Sequence, residues 1–304
     1  MDIAITGGTG FVGQHLTHRL VSEGHHVYIL TRHPTSHEDT AGVTHIGWLK
    51  REFNPETHLP KLDAIVNLAG ESLNSGRWTE ERKREIMDSR IKATEGVMNL
   101  IHTMTEPPEV LVNASAVGFY GPSTTKTFTE DTETPGDDFL AHVAAEWEER
   151  AEQASKKGVR TTFLRFGLIL GEQGALPKMA MPYKMMVGGR IGSGEQWMSW
   201  VHIDDVVGLI TFAIKNKDVK GAINVTAPQP KRNKDFGETL GDVLHRPHWM
   251  PAPSFALKTS LGEMSTLLLE GQSVVPKKAT ALGYTFRYPE LKPALENLLS
   301  RQHQ

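Results

Sequence analysis

Short apolar runs alternate with longer stretches of helical period from the first residues onward. Strand-like runs are predicted at 3–6, 26–31, 44–46, 64–68, 110–114 and 160–166. Between the first two, Phe11, Val12, Leu16 and Leu20 fall on one helical face, and Gly24 is a stop signal. The charged stretch from 79 to 105 carries Ile86, Ile91, Val97, Leu100 and Ile101, which predicts an amphipathic helix, and residues 137–157 repeat that pattern. Alternating strands and helices imply an α/β chain with a doubly wound parallel sheet covered on both faces.

The regularity fades after Leu170. A Gly- and Met-rich segment, 171–200, precedes a short strand and helix expected over 201–216. Prolines are frequent from Pro228 onward, with helices expected near 236–244 and 291–299. The expected division is a doubly wound sheet domain from 1–170 plus 201–226. A smaller C-terminal α+β substrate lobe takes 171–200 plus 227–304.

Composition narrows the function. The 304 residues are 23% charged and carry a net charge of −3, so no basic footprint for nucleic acid is present. No cysteine occurs, which excludes disulfides, thiol catalysis and Cys-ligated zinc. No leader pattern precedes the first strand, and no apolar run approaches the roughly 20 residues that span a bilayer. The expectation is a cytoplasmic protein with a small-molecule substrate and no membrane or nucleic-acid partner; a homodimer stays open. Fourteen histidines invite a metal. His15/His18 and His245/His248 lack the carboxylate of a zinc motif, so no metal is expected.

The candidate chemistry begins at Thr6-Gly7-Gly8-Thr9-Gly10-Phe11-Val12-Gly13. Gly7 permits a tight turn, Gly10 a close approach of backbone to a diphosphate, and Gly13 close helix–strand packing. The diphosphate would rest on amides at the positive end of the helix, which makes 1–170 plus 201–226 a Rossmann-type dinucleotide-binding domain in expectation. The second strand ends in Thr31-Arg32, where an NAD site usually offers an acid. Arg32 can instead pair with a 2′-phosphate through its planar fork, so NADP(H) is the expected cofactor. Leu68-Ala69-Gly70-Glu71, after the fourth strand, would pass beneath adenine and its ribose.

Together with Leu164-Arg165, Gly171 and Trp200-Val201-His202-Ile203-Asp204-Asp205-Val206, these motifs resemble the extended short-chain dehydrogenase/reductases of the nucleotide-sugar epimerase superfamily. A closer resemblance is to an atypical, NAD-dependent epimerase/dehydratase-like branch with its own C-terminal domain. Ala114-Ser115-Ala116-Val117-Gly118-Phe119-Tyr120-Gly121, Ile191-Gly192-Ser193-Gly194, Leu267-Leu268-Leu269-Glu270-Gly271-Gln272, Gly283-Tyr284 and Phe286-Arg287-Tyr288-Pro289 carry it.

The resemblance implies a Tyr-x-x-x-Lys pair on the helix after the fifth strand. Here that helix places Phe139 and Val143 at those positions. Ser115 lies one residue before the usual serine position and either lines the pocket or points away from it. Tyr120 and His142 are the alternative proton donors. Arg90 stands where an asparagine is usual and could reach a phosphate or a substrate anion. Glu85, one turn away, is expected as its partner or as a cofactor contact. Residues 202–205 are expected to wall the substrate pocket, and Met179, Met181, Met185, Met186 and Met198 to cover it or pack in the core. Two functions remain open: an NADP(H)-dependent oxidoreductase or epimerase of a small carbonyl or sugar-like substrate, and an NADP(H)-binding sensor with little catalysis.

Overall fold

The computed structural model describes residues 1–300. The expected lobe boundary at 304 therefore runs into residues outside the described ones. Seven parallel strands form the central sheet: β1 (Asp2–Thr6), β2 (His26–Thr31), β3 (Val43–Gly47), β4 (Ala64–Asn67), β5 (Val110–Ala116), β6 (Arg160–Phe166) and β7 (Gly221–Val225). Their order is β7-β6-β5-β4-β1-β2-β3. Strand addition reverses direction at β1, which pairs with both β2 and β4. In an open α/β sheet the crevice at the carboxyl ends of such a switch point is where ligands bind.

The pleat sends alternate residues to opposite layers. Ile3 and Ile5 pack with Leu16 and Leu20 of α1 (Phe11–Ser22) and with Val206 and Leu209 of α5 (Ile203–Lys215). Ala4, Ile65 and Leu111 face Ala93, Val97 and Leu100 of α2 (Glu80–Thr103), beside α3 (Phe139–Glu152). Thr79 caps α2 by accepting from the Arg82 amide at 3.1 Å, and Asp138 caps α3 by accepting from the amides of Leu140 and Ala141.

Beyond the sheet come α4 (Ala175–Lys184), α6 (Asn233–Leu244), α7 (Ser254–Leu261) and α8 (Leu291–Ser300). The apolar stripe of α8 joins the core on the α1/α5 side. Asp205 fastens the last segment: its carboxylate accepts from the amides of Arg287 and Tyr288 at 2.8 and 2.9 Å and from the Tyr284 hydroxyl at 3.1 Å. A β-carbon at position 208 would collide with that hydroxyl, which explains Gly208. His202 caps α5 and stacks on Tyr288 at 3.9 Å. Residues 202 and 205 thus hold the C-terminal segment, where their buried polar atoms find partners.

The edge strand β7 is covered. Glu130 accepts from the Asn224 amide at 2.8 Å, and the Lys278 ammonium donates to the carbonyls of Lys220 and Ala222. No helix of the described residues is long and apolar enough to cross a membrane.

Candidate functional site

The crevice at β1 and β4 is built first from glycine. Gly7 has φ +67°, and a β-carbon there would lie 2.9 Å from the Leu68 carbonyl group. The Gly10 amide closes the turn onto the Gly7 carbonyl at 3.0 Å. At Gly13 a β-carbon would collide with that same carbonyl oxygen and lie 2.6 Å from the Gly8 Cα. The turn and α1 therefore fit together only without side chains. Gly10 is the N-cap of α1; no side chain caps this helix and its first turn holds no acid. The amides of Phe11 and Val12 have no partner within the helix, and the positive end of its dipole stays open to an anion.

Thr6 has a different task from the expected cofactor contact. It is fully buried, donates to Asn67 Oδ1 at 2.6 Å and accepts from the Leu68 and Ala69 amides at 3.2 Å. Asn67 in turn donates to Asn113 and Thr94. The two strand ends and α2 are thereby locked in register beneath the crevice. Phe11 and Val12 are half-buried, and the Phe11 ring fills the space that a side chain at Gly171 would need.

At the end of β2, Thr31 accepts from the His33 amide at 3.3 Å. Arg32 is exposed and pairs with no carboxylate of the described residues. Across the switch point, Leu68, Ala69 and Gly70 lead out of β4. The Glu71 amide donates to Ser89 at 3.0 Å, and its carboxylate lies 3.6 Å from Arg82.

Arg90 reaches back over this exit. Its guanidinium donates to the carbonyls of Ile86 and Glu71 at 2.9 and 3.2 Å and lies over the Trp147 ring at 5.0 Å. A β-carbon at Gly70 would sit 3.2 Å from it, so Gly70 makes room for the cation. Burial, reinforced by Arg82, holds its pKa down to about 10, against the attraction of Glu71. It forms no ion pair within the described residues. Glu85 is not its partner: it is exposed and binds Arg82 at 2.7 Å, three residues away along α2.

The three catalytic candidates separate. Ser115 is 2% exposed and donates to Glu148 Oε1 at 2.6 Å. Strand alternation turns it toward α3, where Arg165 also grips Glu148 through two bonds of 2.8 Å. Tyr120 is 5% exposed and donates to Asn224 Oδ1 at 2.7 Å, with its ring stacked on Phe128. Burial raises its pKa above the ordinary tyrosine value. His142 is exposed on α3. Neither hydroxyl is free to meet a substrate in this arrangement.

Phe139, Val143 and Trp147 lie one helical turn apart on α3. Trp78 meets Phe139 edge to face at 5.5 Å, and Val143 packs in the same cluster with Leu73, Met87, Met264 and Leu267. The place of the tyrosine and lysine is thus an apolar wall, part of it supplied by the C-terminal module. Sequence pattern alone does not single out Trp78, Trp147 or Glu148. The helical period of 139, 143 and 147 is a signal that could find Trp147; nothing local marks Glu148 as buried.

Comparison with known proteins extends this geometry to the whole chain. Residues 3–226 match the model of the NAD dependent epimerase/dehydratase family, and residues 252–298 match a domain of unknown function (DUF1731). The epimerase family protein YfhF of Bacillus subtilis is 49% identical over 300 residues, covering 99% of this chain and 98% of its own. Among solved structures, the human epimerase family protein SDR39U1 (isoform2) with NADPH superposes with a TM-score of 0.86 at 33% identity, covering 99% of both chains. The UDP-glucuronic acid 4-epimerase of Bacillus cereus, in complex with UDP-glucuronic acid and NAD, reaches 0.79 at 16% identity over the full length of both chains, a likeness of fold.

Proposed function

This chain belongs to the NAD dependent epimerase/dehydratase family, and from that premise we propose that it binds NADP(H) and acts as an oxidoreductase or epimerase on a small carbonyl or sugar-like molecule. The observation that carries the reading is the uncapped start of α1 behind a glycine cradle, with the exposed Arg32, which has no ion-pair partner among the described residues, at the neighbouring strand end. The crystal structure of the human epimerase family protein SDR39U1 is one with NADPH. The residues present fit such a cofactor. The amides of Phe11 and Val12 take a diphosphate, Gly7, Gly10 and Gly13 admit it, and Arg32 pairs with a 2′-phosphate. Leu68, Ala69 and Gly70 form the flat strip beneath adenine and ribose.

When bound, nicotinamide supplies hydride transfer. The chain's own groups position and exclude. Arg90, with no carboxylate partner among the described residues, orients an anionic or carbonyl oxygen of cofactor or substrate. The wall of Trp78, Phe139 and Val143 keeps water from the reacting face. His142 is the one proton-donor candidate whose side chain is not committed inside the fold. We place the reaction in the cytoplasm and assign the segments 171–200 and 227–300 to the substrate side.

A second reading has its own support. Apolar side chains occupy the Tyr-x-x-x-Lys positions, which favours a sensor that holds NADP(H) with little turnover. The test is titration with NADPH and NADH, followed by a panel of carbonyl compounds with reduced nicotinamide absorbance as readout. The expected result is NADPH bound more tightly than NADH and consumed with a member of the panel. Binding without consumption selects the sensor. Failure to bind either nucleotide overturns both.

A further inference from the structure

The segment 254–270 lies across the apolar wall of the site yet is scarcely anchored. None of the eight residues of α7 is buried, and Phe255 is 73% exposed. A short 3-10 turn (Gly262–Ser265) and a helical turn (Thr266–Leu269) follow, and within 254–270 only Ser265 is buried, at 3% exposure. Helices of this length do not hold themselves in water, so other contacts must keep this one in place.

Those contacts come from the start of α2 and the loop before it, and at the far end from Gln196, whose side chain donates to the Leu268 carbonyl at 2.7 Å. The Arg77 guanidinium donates to the carbonyls of Thr259 at 2.7 Å and of Ser260 at 2.8 and 3.0 Å, capping the C-terminal end of α7. Lys83 forms an ion pair of 2.5 Å with Glu263. Met264 and Leu267 then rest against the cluster of Trp78, Phe139 and Val143. Pro253 precedes the segment, and Gly262, at φ +61°, breaks it.

We propose that residues 254–270 are a cover over the substrate side of the site, latched by Arg77 and Lys83, that lifts to admit ligand to the Phe139/Val143 face. The proposal rests on the reading of that face as the substrate side. The two polar latches, Arg77 on the end of α7 and Lys83 on Glu263 of the turn after it, are the weak end of the cover; the apolar contacts of Met264 and Leu267 return it. Arg77 acts through the cover, so it is a positioning residue and not a catalytic one.

The absence of cysteine supplies a clean probe. Ser265→Cys is nearly isosteric and gives the chain a single, buried thiol. Its reaction with an aromatic disulfide reagent measures opening of the cover. Adding Arg77→Ala should raise the rate roughly tenfold with circular dichroism and melting unchanged, the loss of about one net charged hydrogen bond. Lys83→Ala should raise it by a smaller factor, and Arg77→Lys should restore part of the protection. Equal rates with and without Arg77 and Lys83, or a Ser265→Cys thiol as reactive as in the unfolded chain, would overturn the proposal. If Arg77→Ala fails to fold, the Lys83→Ala pair decides alone. NADPH affinity, measured on the same variants, reads the separate crevice at 7–13 and stays unchanged. Its absence in the parent protein would sink the cofactor reading and leave the thiol rates standing.

Discussion

The buried cluster of Ser115, Glu148 and Arg165 gives the sharpest quantitative test, because it decides what Ser115 is for. Glu148 receives two bonds from Arg165 at 2.8 Å and one from Ser115 at 2.6 Å, with side-chain exposures of 5% for Arg165 and 10% for Glu148. Glu148→Ala leaves a guanidinium buried without its carboxylate. Removal of one partner from such a pair costs about 3–5 kcal/mol. Arg165 keeps the Phe119 ring at 3.5 Å and a 3.5 Å contact with the Thr132 carbonyl, which argues for the lower half of that range. Ser115→Ala removes one bond to a carboxylate that retains both bonds from Arg165, so about 1–2 kcal/mol is expected. In a Glu148→Ala background the serine should contribute almost nothing, a coupling of about 1 kcal/mol or more. Urea unfolding of the four proteins measures all of these quantities. NADPH affinity of Ser115→Ala should equal that of the parent. A cost for Glu148→Ala below about 1 kcal/mol, or additive costs in the double variant, would falsify the buried-network assignment.

Three further outcomes follow from the same geometry. Arg32→Ala should weaken NADPH binding by about tenfold or more and NADH binding little, as one charge-assisted phosphate contact is lost; equal losses would remove Arg32 from phosphate recognition. Gly13→Ala should abolish binding of both nucleotides in calorimetric titration, since its β-carbon collides with the Gly7 carbonyl oxygen; unaltered affinity would show that the turn is not the cradle. Stability should fall in alkali. Burial pushes the Tyr183 pKa up to about 12 and raises that of Tyr120. Below pH ~10 both folded and unfolded chains hold these protons. Above it the unfolded chain releases them first, so stability is lost as pH rises toward the folded values, by up to about 3 kcal/mol for Tyr183. Urea midpoints between pH ~9 and ~12 should show this, with a shallower decline in Tyr183→Phe.

Six of the seven sheet strands are legible from apolar runs, to within two residues at their ends. The seventh, Gly221–Val225, is not, because Gly221 and Asn224 interrupt the run and Asn224 is buried only by partners from distant segments. Helix α4 is hidden for a local reason: Pro182 sits inside it, and proline reads as a stop. The glycine cradle is legible because turn, strand and helix are consecutive. The orientation of Ser115 is not, since it is set by a carboxylate 33 residues away. The partner of Glu85 is ambiguous for a related reason. Spacing along a helix offers several arginines, and only the fold shows that Arg90 turns toward Gly70 and Trp147 while Arg82 takes the acid.

The sealing of β7 has a consequence for how this molecule can be cut. A fragment ending at residue 226 would strip Lys278 and Val275 from the last strand of the sheet, baring the Lys220 and Ala222 carbonyls to template another chain. Such a fragment would go into inclusion bodies instead of yielding a minimal nucleotide binder. The C-terminal module thus guards one edge of the sheet from within the same polypeptide.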